Sequence, residues 1–142
     1  MITIKVKLQN GVQGFWQTNP GEWIDLRAAE NMLFRKGEYK RIPLGVAMQL
    51  PEGYEALVAP RSSTFETFGI LMVNGIGIID NKYCGDNDWW SFPALATRDQ
   101  VILVNDRIAQ FRILPVQPDI MFDQVDRLGN PDRGGFGSSG VR

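Results

Sequence analysis

Residues 74–85 read NGIGIIDNKYCG, and this stretch contains the clearest turn signals of the chain. Its glycines mark tight corners around a short apolar run, a pattern typical of a β-hairpin. Such corners leave backbone N–H and C=O groups open to a ligand, and Asp80 follows the apolar run directly. Taken alone, an aspartate in this position is most simply a turn residue, because its side chain caps nearby backbone groups.

Short apolar segments separated by turn signals surround this hairpin and predict an all-β sandwich or barrel. At the N-terminus, apolar residues alternate with polar ones over residues 2–8, which predicts a strand with one buried face. Further strands or apolar segments are predicted at residues 23–26, 39–44, 45–50, 54–59, 70–73, 77–79, 101–104 and 108–114. Residues 62–68 lack glycine and proline and predict one short helix, with Ser62 or Ser63 as its N-cap.

Size and charge restrict the class of protein. A chain of 142 residues fits one domain with a substantial core. The net charge of −1 and the pI near 5.4 argue against a stable nucleic-acid partner, which usually needs a basic face. A few local arginines can still bind a phosphate chain. No apolar run approaches the roughly 18 residues of a membrane span, so no membrane partner is expected.

The absence of histidine restricts the chemistry, because it excludes Ser-His and Cys-His nucleophiles and histidine-ligated metals. Proton transfer near neutral pH is then left to carboxylates, tyrosine, lysine or metal-bound water. The single cysteine, Cys84, excludes an intrachain disulfide and is consistent with a reducing compartment. We therefore expect a cytoplasmic protein, or one of the infected bacterial host's cytoplasm if the gene is from a phage.

Five short stretches occur in one order along the chain: IDLRA at 24–28, PRSS at 60–63, NGIGIIDNKYCG at 74–85, DRIAQF at 106–111 and DRGGFGSSG at 132–140. Together they resemble the five motifs of the trimeric dUTPase family, of bacterial or phage type. The resemblance implies a distorted jelly-roll β-sandwich or barrel with one short helix, assembled as a homotrimer with exchanged C-terminal arms. It also implies hydrolysis of dUTP to dUMP and pyrophosphate by water attack on the α-phosphorus.

The hairpin motif would then bind the nucleoside. The resemblance implies that Asp80 holds and deprotonates the attacking water, which makes it the catalytic residue. The backbone around Gly77 and Ile79 would read the uracil edge with help from Asn74. Tyr83 would stack under the deoxyribose and exclude a 2′-hydroxyl.

Two other motifs would bind the phosphates. The resemblance places Ser62 and Ser63 on the α/β-phosphate region, together with Gln110, and it counts Arg61 among the substrate-binding residues. It implies Mg²⁺ as cofactor, held mainly by the substrate phosphates because magnesium prefers oxygen ligands and retains waters.

The first motif would support this region. The resemblance pairs Arg61 of the phosphate element with Asp25, and Arg107 is a candidate second ion-pair partner. Asp25 would reach the magnesium ion only through water.

The composition changes after Phe122, and residues 123–142 are rich in glycine and charge, with few large apolar groups. Composition alone describes a disordered tail equally well. The resemblance divides the chain into a β core at 1–122 and a flexible arm at 123–142 that closes over a neighbouring subunit's active site. In that arm Arg133 would meet the γ-phosphate, Phe136 would stack on uracil, and Gly137 and Ser138 would wrap the triphosphate.

Two departures from the family pattern concern the roof of the site. Arg133 and Phe136 are separated by two residues, whereas the family typically has four. An aromatic run follows Gly85, where the family usually has a plain alternating strand. We therefore expect an aromatic side chain from this run to share or replace the stacking role of Phe136; the candidates are Trp89, Trp90 and Phe92.

Two other functions remain as alternatives. One is dCTP deaminase, or a bifunctional relative, which shares the fold and an RSS element but needs a glutamate in the strand after the hairpin. The other is a regulatory binding protein built on a dUTPase scaffold. The presence of Asp80, Tyr83 and Gln110 argues against loss of catalysis.

Overall fold

Across residues 1–14, 23–135, 137 and 140, which the computed structural model describes, the fold contains eleven strands and one short helix. The strands are β1 Lys5–Leu8, β2 Ile24–Arg27, β3 Met32–Phe34, β4 Tyr39–Pro43, β5 Val46–Gln49, β6 Tyr54–Pro60, β7 Ile70–Met72, β8 Gly77–Ile79, β9 Ser91–Ala96, β10 Gln100–Ile102 and β11 Arg107–Pro115. The helix is α1 Thr64–Phe68. The nearly all-β class and the single short helix are therefore confirmed. No helix in this part of the chain is long and apolar enough to cross a membrane.

Every strand pair in the described residues is antiparallel. The largest sheet has four strands in the order β2-β11-β6-β8, and a second sheet has the order β4-β9-β7. Two further pairs, β1 with β5 and β3 with β10, complete the fold. The nine-residue strand β11 lies between β2 and β6, so it places the IDLRA, DRIAQF and PRSS motifs side by side.

The core is a continuous cluster of apolar side chains, because one face of most strands is buried. On β9 the alternate residues Phe92, Ala94 and Ala96 are buried. Trp90 precedes them on the same face and packs edge-on against Phe111, with ring centroids 5.3 Å apart and planes at 89°. Aromatic rings favour this edge-to-face arrangement.

Burial contradicts two of the three aromatic residues that were expected to share or replace the stacking role of Phe136. Trp90 is 1% exposed and Phe92 is 0% exposed, so neither ring can stack on a ligand in this structure. The physical reason is the two-residue period of a strand, which turns both side chains toward the core. Trp89, one position out of phase, is partly exposed.

Two strands were not predicted from the sequence. Strand β9 contains Pro93, which cannot donate a ladder hydrogen bond and normally argues against a central strand. It nevertheless lies between β4 and β7. Strand β3 is only three residues long, too short for a clear period. Residues 19–21 read Asn-Pro-Gly, which predicts a turn, but they lie outside the described residues.

Beyond β11 the chain changes character, as its composition indicates. Residues 116–135 are exposed and contain neither helix nor strand. Apolar side chains in this segment lie open to solvent, among them Met121, Phe122 and Leu128. The division into a core and an exchanged arm stays a prediction.

We expect Phe92→Ala to reduce the free energy of unfolding by about 3–5 kcal/mol, because it leaves a cavity in a well-packed core. The matched change Trp89→Ala removes a larger ring from a partly exposed position and should cost about 1 kcal/mol or less. Denaturant unfolding at one fixed protein concentration compares the two. A larger loss for Trp89→Ala would contradict the assignment of the two faces.

Candidate functional site

A cleft of about 480 Å³ lies between the hairpin, the loop after it and the outer face of β9. It brings together the predicted nucleoside-binding residues. Its walls also contain residues that were not predicted from the sequence, among them Tyr39 and Arg41 of β4. Its described lining is Tyr39, Arg41, Val73, Asn74, Gly77, Ile78, Ile79, Asp80, Tyr83, Trp89, Trp90, Ser91 and Pro93. Only the knowledge that β4 pairs with β9 could have revealed Tyr39 and Arg41, and the unpredicted β9 concealed it.

The edge of the four-stranded sheet forms the floor of this cleft. Strand β8 pairs with β6 on one side, and its other side has no strand partner among the described residues. The backbone groups along that open edge are the kind that can pair with a flat polar ligand. Gly75, with φ of 70°, makes the preceding corner in a conformation that favours glycine.

Asp80 stands at the end of β8 and is exposed. Its Oδ1 accepts a hydrogen bond from the backbone N–H of Lys82 at 2.7 Å, and its carbonyl accepts one from Tyr83 N at 3.0 Å. These local bonds fix the carboxylate relative to the strand. Oδ2 has no hydrogen-bond partner in the described part of the chain, so it can accept a proton from a bound water.

A second cluster lies where β2, β6 and β11 meet. Arg61 Nε lies 3.0 Å from Asp25 Oδ1, and Arg107 Nη1 lies 3.4 Å from Asp25 Oδ2. The pair with Arg61 is the more buried of the two, since Arg107 is about half exposed. Gln110 is registered opposite Asp25 on β2, and its Nε2 donates to Pro60 O at 3.0 Å. The structure thus brings the predicted IDLRA, PRSS and DRIAQF residues into one place.

Thr64 locks the PRSS segment onto β11. Its side chain is 1% exposed, and its Oγ1 donates to Ile108 O at 2.8 Å and accepts from Arg61 N at 2.8 Å. The sequence did not single it out, because a threonine at a helix start is ordinarily a solvated cap. Ser63, one of the two predicted candidates, is the N-cap of α1, but its side chain makes no capping hydrogen bond. Ser62, the other candidate, is exposed.

The two clusters lie at opposite ends of β6. In the β6–β8 register Ile79 lies opposite Ala56, so Asp80 lies near the start of β6, whereas Arg61 follows its last residue. At about 3.3 Å per residue, this separates the Asp80 and Arg61 backbones by roughly 15–20 Å along the strand. Within one chain, the hairpin carboxylate and the PRSS loop therefore do not meet.

The arm residues stand apart from both clusters. Arg133 borders a separate surface cavity formed by residues 127–133. Gly137 has a φ of 92°, and its carbonyl accepts a hydrogen bond from Gly140 N at 2.9 Å. Phe136 and Ser138 lie outside the described residues.

Comparison with known proteins gives a consistent result. The dUTPase family model matches residues 23–140. The SPbeta prophage-derived deoxyuridine 5′-triphosphate nucleotidohydrolase YosS of Bacillus subtilis (strain 168) is 58% identical over 122 residues, which cover 86% of this chain and 86% of that one. The deoxyuridine 5′-triphosphate nucleotidohydrolase of Leifsonia xyli is 40% identical over 125 residues, which cover 86% and 82%.

Solved structures share the fold. A mutant dUTPase of Staphylococcus bacteriophage 80alpha, solved with dUpNHpp, superposes with a TM-score of 0.75 at 21% identity, covering 99% of this chain and 100% of that one. The dUTPase of Streptococcus mutans gives a TM-score of 0.69 at 20% identity, covering 84% and 98%.

Thr64→Val should reduce the free energy of unfolding by about 1–3 kcal/mol for each of the two backbone groups that loses its partner. Thr64→Ser keeps the hydroxyl and loses one buried methyl, at a cost of about 1 kcal/mol. Denaturant unfolding of both variants is the measurement. If valine, which preserves the volume, proves the more stable replacement, packing rather than hydrogen bonding holds the PRSS segment.

Proposed function

The chain belongs to the dUTPase family and is a dUTP diphosphatase, and we propose that its cleft and its arginine cluster form two parts of one active site. The reaction yields dUMP and pyrophosphate, which keeps uracil out of DNA and supplies dUMP for thymidylate synthesis. The observation that best supports the mechanism is the meeting of Asn74, Asp80 and Tyr83 in a single cleft.

Uracil recognition is assigned to the open edge of β8. Backbone donors and acceptors around Gly77 and Ile79 would pair with the base as another base would, assisted by Asn74. A backbone floor leaves little room for a 5-methyl group, which excludes thymine. Tyr83 would lie under the deoxyribose, where a 2′-hydroxyl would clash with its ring.

Asp80 is the proposed base. A water held by its carboxylate attacks the α-phosphorus and gives up a proton to Asp80, while the bond from the α-phosphorus to the bridging oxygen breaks and pyrophosphate leaves. An exposed carboxylate is a modest base at neutral pH. Most of the rate must therefore come from positioning and from stabilisation of charge on the phosphates.

Charge stabilisation is assigned to the second cluster. Ser62, Ser63 and Gln110 would bind the phosphate chain, and the ion pair between Arg61 and Asp25 would hold the PRSS loop in place. In this role Arg61 acts on the substrate indirectly, because its ion pair with Asp25 positions the loop that binds the phosphates.

This arrangement fits a magnesium ion that binds together with the substrate, held mainly by the substrate phosphates. No group of three or more histidine, cysteine or acidic side chains within the described residues could hold a metal by itself. Both Asp25 oxygens face guanidinium groups, so Asp25 is suited to reach the ion through water rather than directly. When bound, Mg²⁺ would neutralise charge on the triphosphate.

A second chain is needed to complete the site. Asp80 must approach the α-phosphorus closely, yet the phosphate-binding cluster of its own chain lies at the far end of β6. A homotrimer of jelly-roll subunits would bring the two parts together. Each site would then combine the hairpin of one subunit with the PRSS and DRIAQF motifs of the next. Val73, Ile76 and Ile78 around the cleft expose apolar surface that a neighbouring subunit could cover.

The arm of a third subunit would close the site. Arg133 would bind the γ-phosphate, Gly137 and Ser138 would follow the triphosphate, and Phe136 would stack on uracil. Trp89 borders the cleft and remains a candidate for part of that stacking. The exposed apolar side chains after β11 would anchor the arm on its neighbour.

The acidic residues of the cleft distinguish dUTP hydrolysis from dCTP deamination, the nearest alternative function. Among the described residues that line the cleft, Asp80 is the one acidic group. A cytosine deaminase of this fold needs a glutamate to move protons at the 4-amino group, and β9 contains none. A regulatory role through protein contacts would add to catalysis rather than replace it.

We expect pyrophosphate release from dUTP to exceed that from dTTP, dCTP and UTP by several orders of magnitude, because the discriminating groups are buried on binding. Asp80→Asn keeps the size of the side chain and removes its basicity, so it should lower kcat by about 10²-fold or more. A pyrophosphate assay measures both effects. Release that survives Asp80→Asn would remove Asp80 from the mechanism, and ammonia from dCTP would favour the deaminase.

Sharing of the site between subunits is tested with hybrid trimers. Asp80→Asn and Gln110→Ala subunits, unfolded together and refolded at equal amounts, should regain about a quarter of the wild-type activity, because each mixed trimer contains one intact site. Sedimentation should show a species near three times 16.0 kDa.

The matched control mixes two hairpin variants, Asp80→Asn and Tyr83→Ala. Both lesions then fall in the same half of every site, so the mixture should show no activity beyond the average of the two separate variants. If the first mixture also stays inactive, the hairpin and Gln110 come from one chain and the proposed sharing is wrong.

A further inference from the structure

The loop after the hairpin, residues 85–89, is closed by one side chain. Asp88 Oδ2 accepts a hydrogen bond from Gly85 N at 2.8 Å, and Asp88 N donates to Gly85 O at 3.1 Å. The carboxylate sits so close that a Cβ at position 85 would lie 2.8 Å from Asp88 Oδ2. A side chain at position 85 would therefore displace this carboxylate from the Gly85 N–H.

The closed loop presents a backbone carbonyl to the tyrosine of the cleft. Tyr83 Oη donates to Trp89 O at 3.0 Å. The Tyr83 side chain is 41% exposed, so core packing does not fix its ring. The hydroxyl bond is the specific contact that holds the outer end of the ring in the cleft wall.

Lys7 ties the same loop to the body of the protein. Its Nζ donates to Asp86 O at 2.8 Å and lies 5.1 Å from the centroid of the Trp89 ring. Strand β1 thus supports the loop from outside, while Asp88 sets its shape from within.

We propose that Asp88 is a positioning residue for sugar discrimination, acting through the Trp89 carbonyl on the Tyr83 hydroxyl. The inference rests on the proposed role of Tyr83 under the deoxyribose. Without the Asp88 carboxylate, Gly85 N loses its partner and the loop can open. The Trp89 carbonyl then leaves the hydroxyl, and the Tyr83 ring gains freedom to move aside for a 2′-hydroxyl.

The test compares kcat/KM for dUTP with kcat/KM for UTP. Asp88→Ala should lower this preference about five-fold, the worth of one ordinary hydrogen bond. Asp88→Asn keeps a side-chain oxygen that can accept from Gly85 N and should restore most of the preference. Asp86→Ala removes the same charge two residues away, where the carboxylate has no hydrogen bond or ion pair with any described residue, and should leave the preference unchanged.

A double-mutant cycle identifies the route of action. Tyr83→Phe removes the hydroxyl and should reproduce the loss seen in Asp88→Ala. In the Tyr83→Phe background, Asp88→Ala should then add no further loss, because both changes break the same contact. An equal loss in both backgrounds would overturn the inference, since Asp88 would then act without the hydroxyl.

The outcomes separate this inference from the proposed function. If Tyr83→Phe lowers the preference and Asp88→Ala does not, the positioning role fails while the role of Tyr83 stands. If Tyr83→Ala leaves the preference intact with dUTP still hydrolysed, both fail. Should Asp88→Ala not fold, as judged by thermal unfolding, Gly85→Ala displaces the carboxylate without removing it and must give the same loss.

Discussion

The double pairing of strand β6 is the constraint on which the site depends. On one edge β6 pairs with β11, which aligns the arginine cluster, and on the other it pairs with β8, which bears the hairpin. If the register of an antiparallel strand pair shifts by one residue, the buried side chains of the shifted strand turn toward solvent. The two halves of the proposed site are therefore held at a fixed separation within one chain, and no side-chain movement can close it.

Each half is rigid by a different means. The half proposed to bind phosphate relies on a half-buried carboxylate between two guanidinium groups and on the buried hydroxyl of Thr64. The half proposed to bind the nucleoside relies on backbone turns and on a loop closed by Asp88. Rigid halves suit a reaction driven by positioning, because little ordering is then left for the moment of binding.

Much of the fold could be predicted from the sequence, for physical reasons that differ by element. The alternation in β6 and the glycine corners around β8 are local signals, and both strands appear where they are predicted. Strand β9 could not be foreseen, because Pro93 contradicts the local rule and only pairing on both sides stabilises it. Which side chains of the aromatic run face the core depends on strand β9. Because that strand was not predicted, Trp90 and Phe92 were wrongly expected to stack on uracil. Thr64 escaped notice because burial of a hydroxyl depends on tertiary contacts.

The unpaired edge of β8 exposes the protein to association with other extended chains in solution. An unpaired strand edge is a template for any extended peptide, and it is the usual route to unwanted association between sheets. In this protein the exposed edge is only three residues long, begins with Gly77 and is followed directly by the charged residue Asp80. Those features shorten the template to about the width of one small planar ligand, so little backbone is open to unwanted pairing between sheets.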